Sequence, residues 1–450
     1  AAVSITDAHT REVAAKITKQ YLVAATAVLA AAGLLGVLMR WSQAVPGARI
    51  GDNFWYAIMT AHGLGAFVGW AGFAVMGLAF WVLHSVGFPV RGFGYYMAKA
   101  TWWLMVLGVA GVVITTVFMQ FGASWVFLYP LPFYGSGNWN NWATGLFSFS
   151  VLLAGLAIVA WCFAILHTAM NSDALHAVKK TMGNRLGLSL GWGYLAPRKF
   201  ATNPKPVPYP VIPLAVIGID MIIATLPLAG LLIWQILQAA GVVGDADILL
   251  AKNILWWFGH PVVYLLLFPA VAVYYFLIPR YAGRPLVAGH VIAIAWTVAV
   301  IANVLVWAHH VYLDYPNDSL QAQINTAMQP MTFALVLPSA LSLYSLGFTI
   351  YRMRVFDGQS GKQVAEAFKM TEGVVISDKT GGFGAVPHVT RGLAFADLDG
   401  DGDIDMVAQD LDNTLHIYRN DAVPANRHWL MVQTKTGKRD AYGAVVTIAR

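Results

Sequence analysis

Trp256-Trp257-Phe258-Gly259-His260-Pro261-Val262-Val263-Tyr264 lies inside a long apolar run, and its reading decides the fold. His260 and Tyr264 are four residues apart, so on a helix they share one face. An imidazole inside a bilayer is costly and its nitrogens suit copper or iron, so a functional role is the default expectation there. The adjacent pair His309-His310 ends the next apolar run.

The composition supports a membrane setting. Of 450 residues, 58% are hydrophobic and 11% charged, and the mean hydropathy is +0.61. A soluble domain carries about 25% charged residues, so most of this chain faces lipid or other apolar helices. The charge is uneven: residues 1–354 hold nine carboxylates, with Glu12 the only glutamate, and residues 355–450 hold thirteen. The single cysteine, Cys162, excludes an internal disulfide and a cysteine-based cluster. The pI near 9.2 does not point to nucleic acid, because the basic residues sit in loops between apolar spans. Ala1 to Lys19 is polar and mixed, unlike a secretory signal.

Eight apolar runs are long enough to span a bilayer, which takes about 20 residues each. They are expected near 20–40, 54–83, 100–122, 143–170, 211–240, 252–279, 286–311 and 325–351. Backbone groups in lipid must pair internally, so all are helices. With the N-terminus inside, fifteen Lys and Arg fall in inside segments and three outside, which orients the chain. His62 and His260 then lie roughly 12 Å below the outer boundary and His309-His310 roughly 6 Å. Scattered core histidines bonded to backbone carbonyls would not agree in depth. His260, His309 and His310 therefore form a candidate three-nitrogen site of the kind copper accepts, with a position open for a small ligand.

With these residues in view, residues 1–354 are identified as resembling subunit I of the heme-copper oxygen reductases, of the B-type branch. Gly259-His260-Pro261-Val262-Val263-Tyr264 matches the His-Pro-x-Val-Tyr element, and the separation to His309-His310 matches as well. Tyr129-Pro130-Leu131-Pro132 resembles the family's Tyr-Pro-Pro-Leu with the last two residues exchanged. His62-Gly63 matches the low-spin heme ligand and its following glycine, and Pro338-Ser339 also fits. The resemblance implies that His260, His309 and His310 bind copper and that His62 is an axial ligand of a low-spin heme iron. It implies that Tyr264 is covalently joined to the His260 ring and gives an electron and a proton during oxygen cleavage. It implies heme of low- and high-spin kinds, a copper-A-bearing subunit II and other oxidase subunits, a cytochrome c-type donor, and the prokaryotic cytoplasmic membrane. The branch rests on Val262, where the A-type pattern has glutamate, and on the absence of a lysine from the eighth span. Tyr275, Ser339 and Ser342 match the B-type proton ladder, whereas Val271 replaces an expected tyrosine. Serines on a membrane helix also bond back to their own helix.

Three further histidines, His84, His167 and His290, lie toward the inner side, where interfacial solvation accounts for them. Asp220 is the sole carboxylate within an expected span, and stays open between proton handling and a structural hydrogen bond. The family's last four helices, with a His-x-His element, have no counterpart. Beyond His310 only His388, His416 and His428 remain, so the expectation is a complete copper site without complete heme sites.

From about Val355 the sequence becomes polar. Asp397, Asp399, Asp401 and Asp405 alternate around glycines, the design of a calcium loop. This stretch resembles an FG-GAP repeat, and His428-Trp429-Leu430 through Ala444 resembles the short ASPIC and UnbV domain that follows such repeats. The fold expectation is an all-α polytopic membrane protein over 1–354 and a small β-rich soluble tail over 355–450. The leading functional expectation is the catalytic subunit of a terminal oxidase reducing O2 to water with proton pumping. Nitric oxide reductase shares the scaffold but needs a glutamate in the spans, and none occurs. A proton-coupled transporter lacks a detectable internal repeat, and a membrane-anchored calcium-binding module leaves the histidines unexplained. A propeller needs at least four blades, which the tail is too short to supply, and the topology puts it inside, away from plentiful calcium. Two partial modules with opposed locations are expected to be a misjoined pair. Mass spectrometry of the purified chain should then find no peptide spanning residues 345–375, and finding one would refute the misjoining.

Overall fold

Apolar runs of this length fold as helices because lipid offers no partner for a free backbone N–H or C=O. The computed structural model describes residues 8–135, 137–171, 181–195, 207–351, 390–396, 398, 405–410, 415–418, 435–436 and 439–440. Among the described residues, seven helices are long and apolar enough to cross a membrane. They are α1 (His9–Ala44), α2 (Asp52–Ser85), α3 (Gly92–Phe118), α4 (Asn141–Met170), α6 (Val211–Ala239), α7 (Ile248–Tyr281) and α9 (Leu320–Ile350). Between them lie the short α5 (Met182–Ser189) and α8 (Gly289–Ala302). The chain divides into two units, residues 1–361 and 362–450.

Two expectations change. The span expected over 286–311 is a helix of only 14 residues, α8, about 21 Å long at 1.5 Å per residue and short of a roughly 30 Å hydrocarbon core. Its ladder stops at Asn303, whose amide bonds another helix, and the β-branched Val304 and Val306 follow. At the other end of the chain, α1 begins at His9 rather than near residue 20. Ala14, Ile17, Tyr21 and Ala25 are buried at helical spacing and extend it. The Tyr21 hydroxyl donates to the Ala98 carbonyl at 2.7 Å.

Small residues let the helices close. A Cβ at Gly69 would stand 2.6 Å from Val28 Cγ1, and one at Gly77 2.6 Å from Tyr21 Cβ, so α2 meets α1 through bare backbone. A Cβ at Gly108 of α3 would meet the Ser150 carbonyl of α4 at 2.8 Å. Helices α3, α4, α6 and α7 pack in succession, α8 packs on α6 and α9, and α9 packs on α7. The α2 helix widens to a π-helix over Gly65–Ala71, beginning three residues after His62.

In the second unit, β1 (Thr390–Ala396), β2 (Asp405–Asp410) and β3 (Leu415–Tyr418) form an antiparallel meander. A separate pair joins β4 (Lys435–Thr436) to β5 (Arg439–Asp440). Asp397, Asp399 and Asp401 lie outside the described residues. Asp405 is buried at the start of β2, and its carboxylate accepts the Leu398 N–H at 2.7 Å, a turn-closing role.

Gly69→Leu should push α1 from α2 and lower stability by about 1–3 kcal/mol, the usual cost of overpacking. Thermal unfolding of the detergent-solubilised protein checks this, with Gly33→Leu, which meets open space, as the neutral comparison.

Candidate metal centre

His260 is the thirteenth residue of α7, roughly 18 Å along it. Pro261 has no N–H, so the Trp257 carbonyl one turn back loses its helical partner. The two tryptophans before His260 hold the neighbours: the Trp256 ring lies flat on His310, with centroids 4.4 Å apart. Trp257 packs on Trp307 and donates to the Ile223 carbonyl of α6 at 3.3 Å.

His309 and His310 come from a 3-10 turn, Trp307–His310, that follows α8. The structure brings the three imidazoles together: one nitrogen from each lies within 4.8 Å of the others. His260 Nδ1 and His310 Nε2 are 3.1 Å apart. His260 Nε2 and His309 Nδ1 are buried with no hydrogen-bond partner. Nitrogen lone pairs left so in an apolar surround are costly, and a metal held at about 2.0 Å from each imidazole would satisfy them. The donor set is all imidazole, which copper, zinc and iron accept and calcium does not. Burial falls across the triad, from His260 at 7% exposed through half-buried His309 to exposed His310. The Tyr264 ring sits beside His260 with centroids 5.3 Å apart.

One residue that the sequence did not single out ties the site together. Asn253, two turns before His260 on α7, accepts at Oδ1 from Trp307 Nε1 at 2.9 Å and from the Tyr312 hydroxyl at 2.8 Å. Its donors flank the histidine pair on both sides. Asn253 is a positioning residue.

His62 stands apart from the triad. Its Nδ1 lies 2.8 Å from the Ala32 carbonyl of α1. A carbonyl can only accept, so Nδ1 carries the hydrogen and Nε2 presents its lone pair, the arrangement of an oriented metal-binding imidazole. A Cβ at Gly36 would meet the ring at 2.8 Å, and one at Gly63 would meet Trp125 at 2.7 Å.

The Tyr275 hydroxyl is hydrogen-bonded to Ser342 of α9 and accepts from Trp296 Nε1 at 3.2 Å. Ser339 lies on the exposed side of α9, with no hydrogen bond of its side chain among the described residues. The buried hydroxyls that continue from Ser342 are instead Ser345 and Thr349, a 342/345/349 spacing the sequence shows. Ser345 bonds the Val287 carbonyl, and Thr349 Oγ1 accepts the Val287 N–H at 3.1 Å. His84 and His167 are half-buried, each with an unpartnered Nδ1, and His290 is exposed. The Tyr129 hydroxyl accepts the Ala246 N–H at 3.0 Å, tying two loops.

The pattern described as cytochrome C and quinol oxidase polypeptide I matches residues 16–360. The chain belongs to this family. It is 26% identical over 352 residues to a heme-copper oxidase subunit I+III of Aeropyrum pernix, covering 74% of this chain and 38% of that one. It is 25% identical over 315 residues to cytochrome c oxidase subunit 1 of Cereibacter sphaeroides, covering 68% of this chain and 50% of that one. A quinol oxidase subunit 1 of Sulfolobus acidocaldarius is 32% identical over 162 residues, or 35% of this chain and 30% of that one. The chain thus spans half or less of these relatives' length. Family membership and the long apolar helices together make it a multi-pass membrane protein.

Asn253→Leu strands two donors beside the triad and should cut the site's metal affinity by roughly 10–100-fold, the usual cost of losing an outer-shell support. Asn253→Asp keeps an acceptor oxygen and should retain most of it. Metal content after dialysis against graded chelator reads the difference.

Proposed function

We propose that this chain is the catalytic subunit of a respiratory terminal oxidase that reduces O2 to water and couples the reaction to proton translocation. The observation that carries the reading is the imidazole triad, with ligating nitrogens within 4.8 Å and the Tyr264 ring beside His260. His260, His309 and His310 are read as copper ligands, and His62 as an axial ligand of a low-spin heme. When bound, copper and heme supply the electrons and the open coordination positions that oxygen reduction needs.

The chain's own groups then have distinct tasks. Tyr264 holds a proton and a removable electron one helical turn from His260, the adjacency required by the covalent link expected of the family. Trp256 and Asn253 keep the His310 ring and its turn in place, so the ligands are oriented before the metal arrives. Tyr275 and Ser342 form a hydrogen-bonded step for protons, with Ser345 beyond. A cavity of about 280 Å³ lies between α1, α2, α3 and α4, with α6 and α7 closing one side through Leu228 and Phe258, and its lining is apolar. Its chemistry suits an apolar diatomic gas.

The donor is read as a cytochrome c-type protein acting through a copper-A-bearing subunit II, because one cysteine cannot build that centre in this chain. The relatives include both cytochrome c and quinol oxidases, so oxidation of quinol alone by the purified complex would replace that part of the reading. The count of inside against outside Lys and Arg supports an inside N-terminus, in a prokaryotic cytoplasmic membrane.

A reduced-minus-oxidised optical spectrum with metal analysis of the purified complex tests the proposal. Heme bands with copper are expected, and His260→Ala should lose the copper and the oxygen uptake while keeping the low-spin heme bands. Iron without copper would favour nitric oxide chemistry, and a complex without heme would overturn the oxidase reading.

A further inference from the structure

Asp220 on α6 and Asn303, the first residue beyond α8, are both wholly buried. Asn303 Nδ2 donates to Asp220 Oδ2 at 2.8 Å. The remaining oxygens of the pair, Asp220 Oδ1 and Asn303 Oδ1, are each buried without a hydrogen-bond partner. A carboxylate and an amide oxygen can only accept, so with Asp220 ionised both would be stranded and a full charge would lie in an apolar interior. Among the described residues no cation forms an ion pair with Asp220. Of the helices packed on α6, α7 carries its cations, Lys252 and Arg280, near its two ends, and the short α5 carries Arg185. The titratable side chain set against Asp220 is Cys162 of α4, a buried thiol that brings no positive charge.

A single proton resolves both stranded oxygens. A carboxylic acid presents one acceptor and one donor side by side, and a primary amide presents the complementary pair. The acceptor half of that match already exists at 2.8 Å. We propose that Asp220 is a neutral carboxylic acid whose Oδ1–H is donated to Asn303 Oδ1, and that this acid–amide pair fixes where α8 ends and so positions the turn bearing His309 and His310. Its positioning part rests on reading those histidines as metal ligands. Asn303 stands six residues before His309, where the chain leaves the helix. The pair ties that exit to α6, as Asn253 ties the histidine turn itself to α7. Asp220 touches no reacting group. It is a positioning residue.

The test uses the whole purified complex. Infrared spectroscopy should show a protonated-carboxyl C=O stretch that shifts in D2O and is absent from Asp220→Asn. That variant replaces the acid by an amide, which still offers one donor and one acceptor to Asn303, so copper electron paramagnetic resonance and oxygen uptake should stay within about twofold of the parent. Asp220→Leu strands the whole Asn303 amide, and should change the copper signal and lower uptake roughly tenfold, on the scale of a lost outer-shell support, with the heme bands kept. A parent without the acid band, or Asp220→Asn as damaged as Asp220→Leu, overturns the proposal. If Asp220→Leu does not assemble, the infrared band and the Asp220→Asn result decide it. A parent complex with no copper would instead overturn the oxidase reading, and the infrared band would still report the acid–amide pair.

Discussion

Everything at the candidate metal centre depends on one constraint. Residues 303–312 leave the helical ladder within a chain of membrane helices, and lipid cannot satisfy a non-helical backbone or its polar side chains. The segment is held by partners on the helices behind it. Asn303 pairs with Asp220 of α6, while Trp307 and Tyr312 share the oxygen of Asn253 on α7. The Asp220–Asn303 bond is wholly buried and the two bonds to Asn253 are partly so, which limits competition from water, so a few of them can fix a turn that its sequence alone would leave loose. The α6–α7 pairing is therefore the platform of the site, because one helix carries Asp220 and the other carries Asn253, His260 and Tyr264.

The same logic sets the surroundings of His62. Bare glycine backbone on α2 lets α1 approach until the Ala32 carbonyl reaches His62 Nδ1. Had larger residues kept the helices apart, the imidazole would lack the contact that selects its tautomer. Close packing and proton placement are one fact in this region.

What the sequence showed and what it hid follow from the range of each signal. Span positions come from local hydropathy, and six of the eight expected runs overlap long helices to within a few residues at most ends. His260 and Tyr264 share a face because of spacing alone, and the structure places them side by side. Hydropathy cannot register that a run has unwound, so the apolar 286–311 stretch concealed the short α8 and the 3-10 turn. Asn253 was invisible for a different reason: its partners stand 54 and 59 positions away, and an asparagine near a helix start reads as a polar boundary residue. Ser339 matched a family position yet faces outward, whereas the 342/345/349 spacing, present in the letters, marks the buried hydroxyls.

On the proposed reading, protons and oxygen chemistry meet along one face of α7. Tyr264 and Tyr275 are eleven residues apart, close to three whole turns, so both phenols point the same way about 16 Å apart. Phe268 and Val271 are buried on the stretch between them. The hydroxyls of α9 reach Tyr275 through Ser342, but nothing polar on α7 itself spans the remaining turns. Val271, which stands where the family resemblance expects a tyrosine, is the dry point of that face. A hydroxyl there would join the two phenols into one continuous path. A valine instead separates the supply of protons from the phenol beside His260, so transfer across that gap depends on water entering or on side chains brought by the rest of the oxidase.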